Sequence, residues 1–382
     1  MQETVDVVIV GGGVIGCSIA YHLSARGIRV RMLERNRIAS EASSAAAGML
    51  AAQAEFIESA SLFEYARQSR TMFSSLAAEL QDLSGIEVGL VQEGLLRIAT
   101  SEEDVIRYHA QAEIQQQRGE SVQWLSAAEA ITMEKALAND IYGALYLEQD
   151  HQVMAPSLSL AYVKAASGLG ADIREYTEVQ ALIREGSKIV GVRTHDGILR
   201  CHQVILASSI WSQSLLRGIG YELPLYPVKG ECIAVRTNAP LIRRTVYTDN
   251  CYIVPKANGE LYIGATVTPH TFNRQVTVGG ILALMEAAER LFPSIRGAEW
   301  SRTWSGLRPQ TPHGLPYMGI HPELEGLMIA AGHYRNGILL SPMTGVVMAD
   351  LIEGKEPSVD LTDFQVPAVR WSTDHHLSGV GS

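Results

Sequence analysis

The chain has 382 residues, more than a single hydrophobic core usually supports, so two domains are expected. Apolar residues make up 47% and charged residues 19%, which excludes a disordered chain, and a formal charge of -10 without any Lys/Arg run excludes a nucleic-acid partner. The four cysteines, Cys17, Cys201, Cys232 and Cys251, have no paired spacing, so neither a disulfide framework nor a metal site is indicated and a reducing cytoplasm fits.

The opening apolar run, Val5 to Val10, ends in glycines after six residues and reads as a strand buried on both faces, not as a signal peptide. Gly11, Gly13 and Gly16 follow as G-x-G-x-x-G, and Ile15, Ile19, Ala20 and Leu23 have helical spacing up to Gly27. A second strand, Ile28 to Leu33, ends in Glu34. Gly11 makes the tight turn, Gly13 lets the backbone approach a pyrophosphate, Gly16 lets helix and sheet pack closely, and Glu34 accepts from ribose hydroxyls. With 34 glycines a lone fingerprint could arise by chance; the ordered strand, turn, helix, strand and acid make it a dinucleotide site, open to FAD or NAD.

The small residues Ser43 to Met49 suit a backbone lying against a ligand, although composition alone reads as a tightly packed helix. Helical periodicity covers Phe56 to Leu83 and Ser101 to Gln117, while Val88 to Ile98 reads as a strand pair interrupted by Glu93-Gly94. Val204 to Ala207 is another buried strand, followed by Ser208-Ser209-Ile210-Trp211. From Pro224 to Thr268, β-rich segments separated by turns such as Asn258-Gly259 indicate an antiparallel sheet, and a helix spans about Gly279 to Phe292. From Leu327, LMIAAG reads as a strand, HYRNG as a loop and the stretch from Ile338 as a helix, whose N-terminus suits developing negative charge. Its apolar run, Gly337 to Ile352, is interrupted by Pro342 and Gly345 and too short to cross a bilayer, so no membrane partner is expected. Residues after Val366 read as an unstructured tail.

Arg308, in Trp304-Ser305-Gly306-Leu307-Arg308-Pro309, is the strongest candidate for a carboxylate anchor, because a guanidinium offers two parallel charge-assisted hydrogen bonds and Pro309 biases Arg308 to an extended backbone. The fingerprint and SSAAAGM together resemble the D-amino-acid oxidase superfamily. SAAAGML, PVKGEC, CYIVP, GAT, GLRP, GLPYMG and GHYRNGILLSP extend that resemblance to the glycine oxidase family across nearly the whole chain.

The resemblance implies an α/β plus α+β fold: a Rossmann-like FAD-binding domain (1–85, 148–223, 306–366), an interleaved antiparallel-sheet substrate domain (86–147, 224–305) and a tail (367–382). It further implies FAD contacts at Val14, Ile15, Arg35, Ala42, Ser43, Ala47, Gly48, Met49, Val179, His333, Tyr334, Arg335, Asn336, Gly337, Ile338 and Leu339, besides the fingerprint residues. The cofactor is expected to be non-covalent, since no cysteine lies between 300 and 335 where some relatives attach it. Arg308, Arg335 and Tyr252 are the implied substrate residues, with no acid–base residue and no role of that kind for His333. The implied activity is oxidation of glycine, sarcosine and small D-amino acids by oxygen, serving the thiazole of thiamine in a cytoplasmic homotetramer. Sarcosine oxidase, a D-amino-acid dehydrogenase and a non-catalytic dinucleotide-binding subunit are the competing readings. Ser209 stands where the family has glycine, and Asn250 and Val267 also depart from the pattern, which leaves cofactor contact at Ser209 and the substrate range open.

Overall fold

The computed structural model describes residues 5–56 and 59–371; part of the expected helix at 56–83 and of the expected tail therefore lies outside the described residues. Val5–Val10 sits in the middle of a sheet with strand order Tyr317–Ile320, Leu327–Ala331, Gly197–Leu206, Val5–Val10, Val30–Leu33, Asp172–Arg174. All neighbours along this path are parallel except the antiparallel edge strand Tyr317–Ile320. Val7 and Ile9 enter one hydrophobic core, Val8 and Val10 the other, so the β-branched run is buried on both sides, as a parallel strand between two layers requires. The helices Val14–Ala25, Ala155–Gly168 and Gly337–Ile352 cover the first face; the hairpin Ala181–Glu185 and Lys188–Thr194 covers the second.

One glycine lets the first and last helices meet. A Cβ at Gly345 would overlap His22 and come within 2.5 Å of Ser18 Oγ, and Ser18 Oγ donates to Ser341 O at 2.7 Å. At the other end a Cβ on Gly337 would lie 3.9 Å from Val14 Cγ1, so the two helix N-termini stand side by side.

The second sheet has nine strands: Thr268–Pro269, Tyr226–Arg236, Glu260–Gly264, Tyr252–Pro255, Thr245–Tyr247, Leu95–Ala99, Gly143–Leu147 and Gln123–Ser126 in order, with Glu299–Gln310 also paired to Tyr226–Arg236. The expected antiparallel pairing holds except between Thr245–Tyr247 and Leu95–Ala99, which run parallel. That pair joins two segments far apart in sequence, where no hairpin imposes antiparallel direction. Side chains alternate: Ile253 and Ile263 face a core covered by the helix Val278–Leu291, while Tyr252, Val254 and Tyr262 face the other side with Ala47, Ala51 and Ala54.

Several expectations need correction. Val88 to Ile98 holds one strand, Leu95–Ala99, preceded by a single bridge at Val91 to Gln152; Gly94 at φ 79° breaks any continuous pair. The helical stretch after Phe56 is two helices, Ala60–Thr71 and Phe73–Ser84, abutting at Met72. Ser43 to Met49 contains only the end of a short helical turn, Ala42–Ala45, before extended backbone and the strand Met49–Leu50. Ordered structure also continues past Val366, because Val369–Arg370 pairs with Tyr221–Glu222 and the Arg370 guanidinium sits 4.3 Å over the Tyr221 ring.

Candidate active site

The fingerprint builds the start of a cleft from backbone. Gly11 adopts φ 110°, and a Cβ there would stand 2.7 Å from Ala207 O; a Cβ on Gly16 would overlap Gly11 O. Only glycine fits either place. The helix Val14–Ala25 begins without an N-cap side chain, and Ser43 Oγ accepts from Val14 N at 2.9 Å. Glu34 closes the motif at the end of the second strand, its carboxylate accepting from Gly12 N and Asn36 N, each at 2.8 Å.

Two cavities share Gly13, Ala42, Ser43, Ala207 and Ser209 and so form one elongated cleft. One end is lined by Leu33, Glu34, Arg35, Val179 and Trp211, with the Arg35 guanidinium 4.1 Å over the Trp211 ring; ribose and an adenine ring fit these donors, acceptors and flat faces. The other end, about 1130 Å³ including its mouth, is lined by Ala45 to Met49 and by Gly332 to Ile338. The last helix also lacks an N-cap side-chain bond and has no acidic residue in its first turn, so its N-terminus offers free N–H groups and positive potential to a reduced ring system. An extended dinucleotide with a second ring system therefore fits: pyrophosphate at Gly13, Val14 and Ser43, the ring against Ala47 to Met49 and Gly337.

Ser209 resolves the doubt raised by the missing glycine. It lies at φ 58°, in the left-handed region that glycine favours, and lines both cavities. The turn is kept with a serine in it.

Arg308, Tyr252 and Arg335 all reach the second cavity, from three different elements. Arg308 lies on the strand Glu299–Gln310, and its Nη1 donates to Thr266 O at 3.1 Å. Among the described residues it has no carboxylate partner. Gly230, on the neighbouring strand, makes room for it: a Cβ there would stand 2.5 Å from Arg308 Cζ. Tyr252 hydroxyl lies 3.5 Å from Cys232 Sγ, and burial pushes both groups upward, so phenol and thiol stay protonated near neutrality. Arg335 is engaged by Glu55, Nε to Oε2 at 2.8 Å, and that carboxylate raises its pKa further. His333 touches Thr344 Oγ1 at 3.3 Å, and burial pulls its pKa down to about 3, leaving a neutral imidazole. Glu55 is the carboxylate among the described residues lining this end, and it is held by Arg335 and the Tyr247 hydroxyl.

Most expected cofactor positions line the cleft, but Leu339 and Gly16 do not. Leu339 is fully buried in the core, its carbonyl accepting from Ser69 Oγ at 2.7 Å, because it lies within the first turn of the helix on the side away from the cavity. Asn250 and Val267 are exposed and line neither cavity, so the pocket wall does not include the two departures. Residues missed from sequence are Gly230, Cys232, Gly306 and Glu55. PVKGEC contained the first two as a motif; nothing in AAQAEF marks Glu55, whose role arises from a fold-distant pairing. Among the described residues no group of three or more His, Cys, Asp or Glu could hold a metal, and no helix is long and apolar enough to cross a membrane.

The comparisons agree with this geometry. The family model of FAD-dependent oxidoreductases matches residues 6–351. The glycine oxidase of Geobacillus kaustophilus is 47% identical over 383 residues, covering 100% of both chains. A crystal structure of glycine oxidase from that organism superposes with a TM-score of 0.92 at 48% identity, over 95% of this chain and 98% of the other. The bifunctional protein ThiO/ThiG of Trichormus variabilis is 34% identical over 94% of this chain and 54% of its own length. The chain belongs to the FAD-dependent oxidoreductase family of D-amino-acid-oxidase fold, with FAD as its cofactor.

Proposed function

We propose that this flavoprotein oxidises glycine, and with it sarcosine and small D-amino acids, yielding glyoxylate or another 2-oxo acid, ammonia or an amine, and hydrogen peroxide. The observation that carries this reading is Arg308, a guanidinium with no carboxylate partner among the described residues, facing the ring end of the cleft. Bound FAD would supply the redox chemistry, a two-electron oxidation at the amine-bearing carbon with oxygen as the final acceptor.

The chain's own residues supply binding and orientation. Arg308 grips the substrate carboxylate through two parallel hydrogen bonds and so fixes which way the amine points. Tyr252, Cys232 and the backbone at Gly230 wall the substrate away from water, and the low polarity there favours the neutral amine over ammonium. A neutral amine has the lone pair that drives departure of hydride from the adjacent carbon. Hydrolysis of the resulting imine needs only water and no residue of the chain.

The division into a discontinuous FAD-binding domain (1–85, 148–223, 306–366) and a substrate domain (86–147, 224–305) is part of the same proposal, supported by the two sheets except at 305/306, where the strand Glu299–Gln310 carries the second sheet on to Gln310. A role in supplying the thiazole of thiamine is supported by the ThiO/ThiG relative. We place the enzyme in the cytoplasm as a homotetramer; its free, buried cysteines suit a reducing compartment. Peroxide formed in equal amount to oxygen consumed, with glycine as sole substrate, is the expected result. Turnover only with an artificial electron acceptor would instead make it a dehydrogenase.

A further inference from the structure

The two arginines of the cavity are in opposite electrostatic states. Arg308 has one hydrogen bond to a carbonyl and, among the described residues, no counter-charge. Arg335 is closed off: Nε pairs with Glu55 Oε2 at 2.8 Å, Nη2 donates to Tyr247 hydroxyl at 2.9 Å, and that hydroxyl donates to Glu55 Oε1 at 3.1 Å. The Glu55 side chain is only 6% exposed, so little water competes for it. Both guanidiniums line the same cavity as the phenol of Tyr252.

The position of Glu55 is built from below. It ends the short helix Ala52–Glu55, whose Gln53 N and Ala54 N donate to Asp150 at 3.1 and 2.9 Å. Asp150 is fully buried and pairs with Arg70 at 2.7 Å, and Arg70 also pairs with Glu120 at 2.6 Å. A buried ionic network thus fixes the segment that brings the Glu55 carboxylate to the cavity wall.

We propose that Glu55 determines substrate charge: by neutralising Arg335 it leaves the cavity, among the described residues, a single free cation, which admits monocarboxylic amines and rejects a second carboxylate. This rests on the reading of the site as an amino-acid oxidase with Arg308 as carboxylate anchor. A dicarboxylic ligand held at Arg308 would bring its other carboxylate against Glu55. Two carboxylates would then share one guanidinium, the Arg335 side chain being 32% exposed and the Glu55 side chain 6%, and one would be left unpaired. Without the Glu55 charge, Arg335 becomes a second anchor.

The test measures dissociation constants of malonate and succinate, each against its mono-amide, from the change in flavin absorbance of the holoenzyme. The amide has nearly the same size, so the ratio isolates charge. In Glu55→Gln the preference shifts toward the dicarboxylate by about tenfold or more for at least one chain length, and adding Arg335→Gln cancels the gain. Arg335→Gln alone moves the ratio about tenfold the other way, because Glu55 is left without its counter-charge; this arm stands if Glu55→Gln does not retain flavin. An unchanged ratio in the variants that hold FAD overturns the proposal. Failure of the wild-type protein to oxidise glycine would overturn the proposed function instead, and leaves the binding ratios separately measurable.

Discussion

The backbone of Gly230 lies against the guanidinium of Arg308: a Cβ at Gly230 would stand 2.5 Å from Arg308 Cζ and overlap both terminal nitrogens. The absence of a side chain on one strand therefore sets the position of a cation on the next. Gly230→Ala should displace Arg308 and lower kcat/KM for glycine by roughly 30-fold, the equivalent of about 2 kcal/mol, through loss of orientation. Flavin content, read from absorbance, should persist. Unaltered kinetics would mean that Arg308 does not hold the carboxylate from this position.

Arg308 itself can be tested by shortening its reach. Arg308→Lys keeps the charge but replaces the planar fork with a point donor, and KM for glycine should rise about 100-fold, near 3 kcal/mol, with FAD still bound. A normal KM removes Arg308 from the site.

Ser209 occupies the left-handed region at φ 58° without being glycine. Ser209→Gly should relieve that strain and raise stability by about 1 kcal/mol, seen as a higher urea midpoint at unchanged slope. A lower midpoint would show that the serine side chain contributes more than its backbone costs.

Two buried imidazoles make folding sensitive to acid. Burial lowers the pKa of His22 to about 4, helped by the charge of Arg26, and that of His333 to about 3. Unfolded, both titrate near 6.5, so their contribution is complete above that pH and is lost as pH falls from about 6.5 through 4 and 3. Asp150, pushed up to about 6 by burial, acts in the opposite sense over part of this range, while His151 and His321, also lowered by burial, act in the same sense as His22 and His333. The urea midpoint of the holoenzyme should therefore drop between pH 7 and pH 5. His22→Leu should flatten that drop, since the His22 Nε2 has no hydrogen-bond partner among the described residues to lose. A profile as steep as in the wild type would exclude His22 as a source.

The cofactor half of the molecule was largely legible in sequence, because a parallel strand, a glycine turn and a helix are local events with their own signatures at Val5 to Glu34. The substrate half was legible as strands but not as a pairing scheme. The parallel contact between Thr245–Tyr247 and Leu95–Ala99 joins segments about 150 residues apart, and no periodicity encodes it. For the same reason Arg308 could be named, while Gly230 beside it and Glu55 opposite Arg335 could not: their roles exist only once distant strands and helices have met. Asn250 and Val267 show the converse, since differing from a family pattern does not place a residue in the pocket wall.

The most direct test of the proposed function is anaerobic titration of the yellow holoenzyme with glycine. The site described predicts stoichiometric bleaching of the oxidised flavin by glycine, reversed on admitting air with formation of one peroxide per flavin, and bleaching about 100-fold slower in Arg308→Lys at the same subsaturating glycine concentration. Flavin that stays oxidised under saturating glycine, sarcosine and D-alanine, in protein that binds FAD normally, would contradict it.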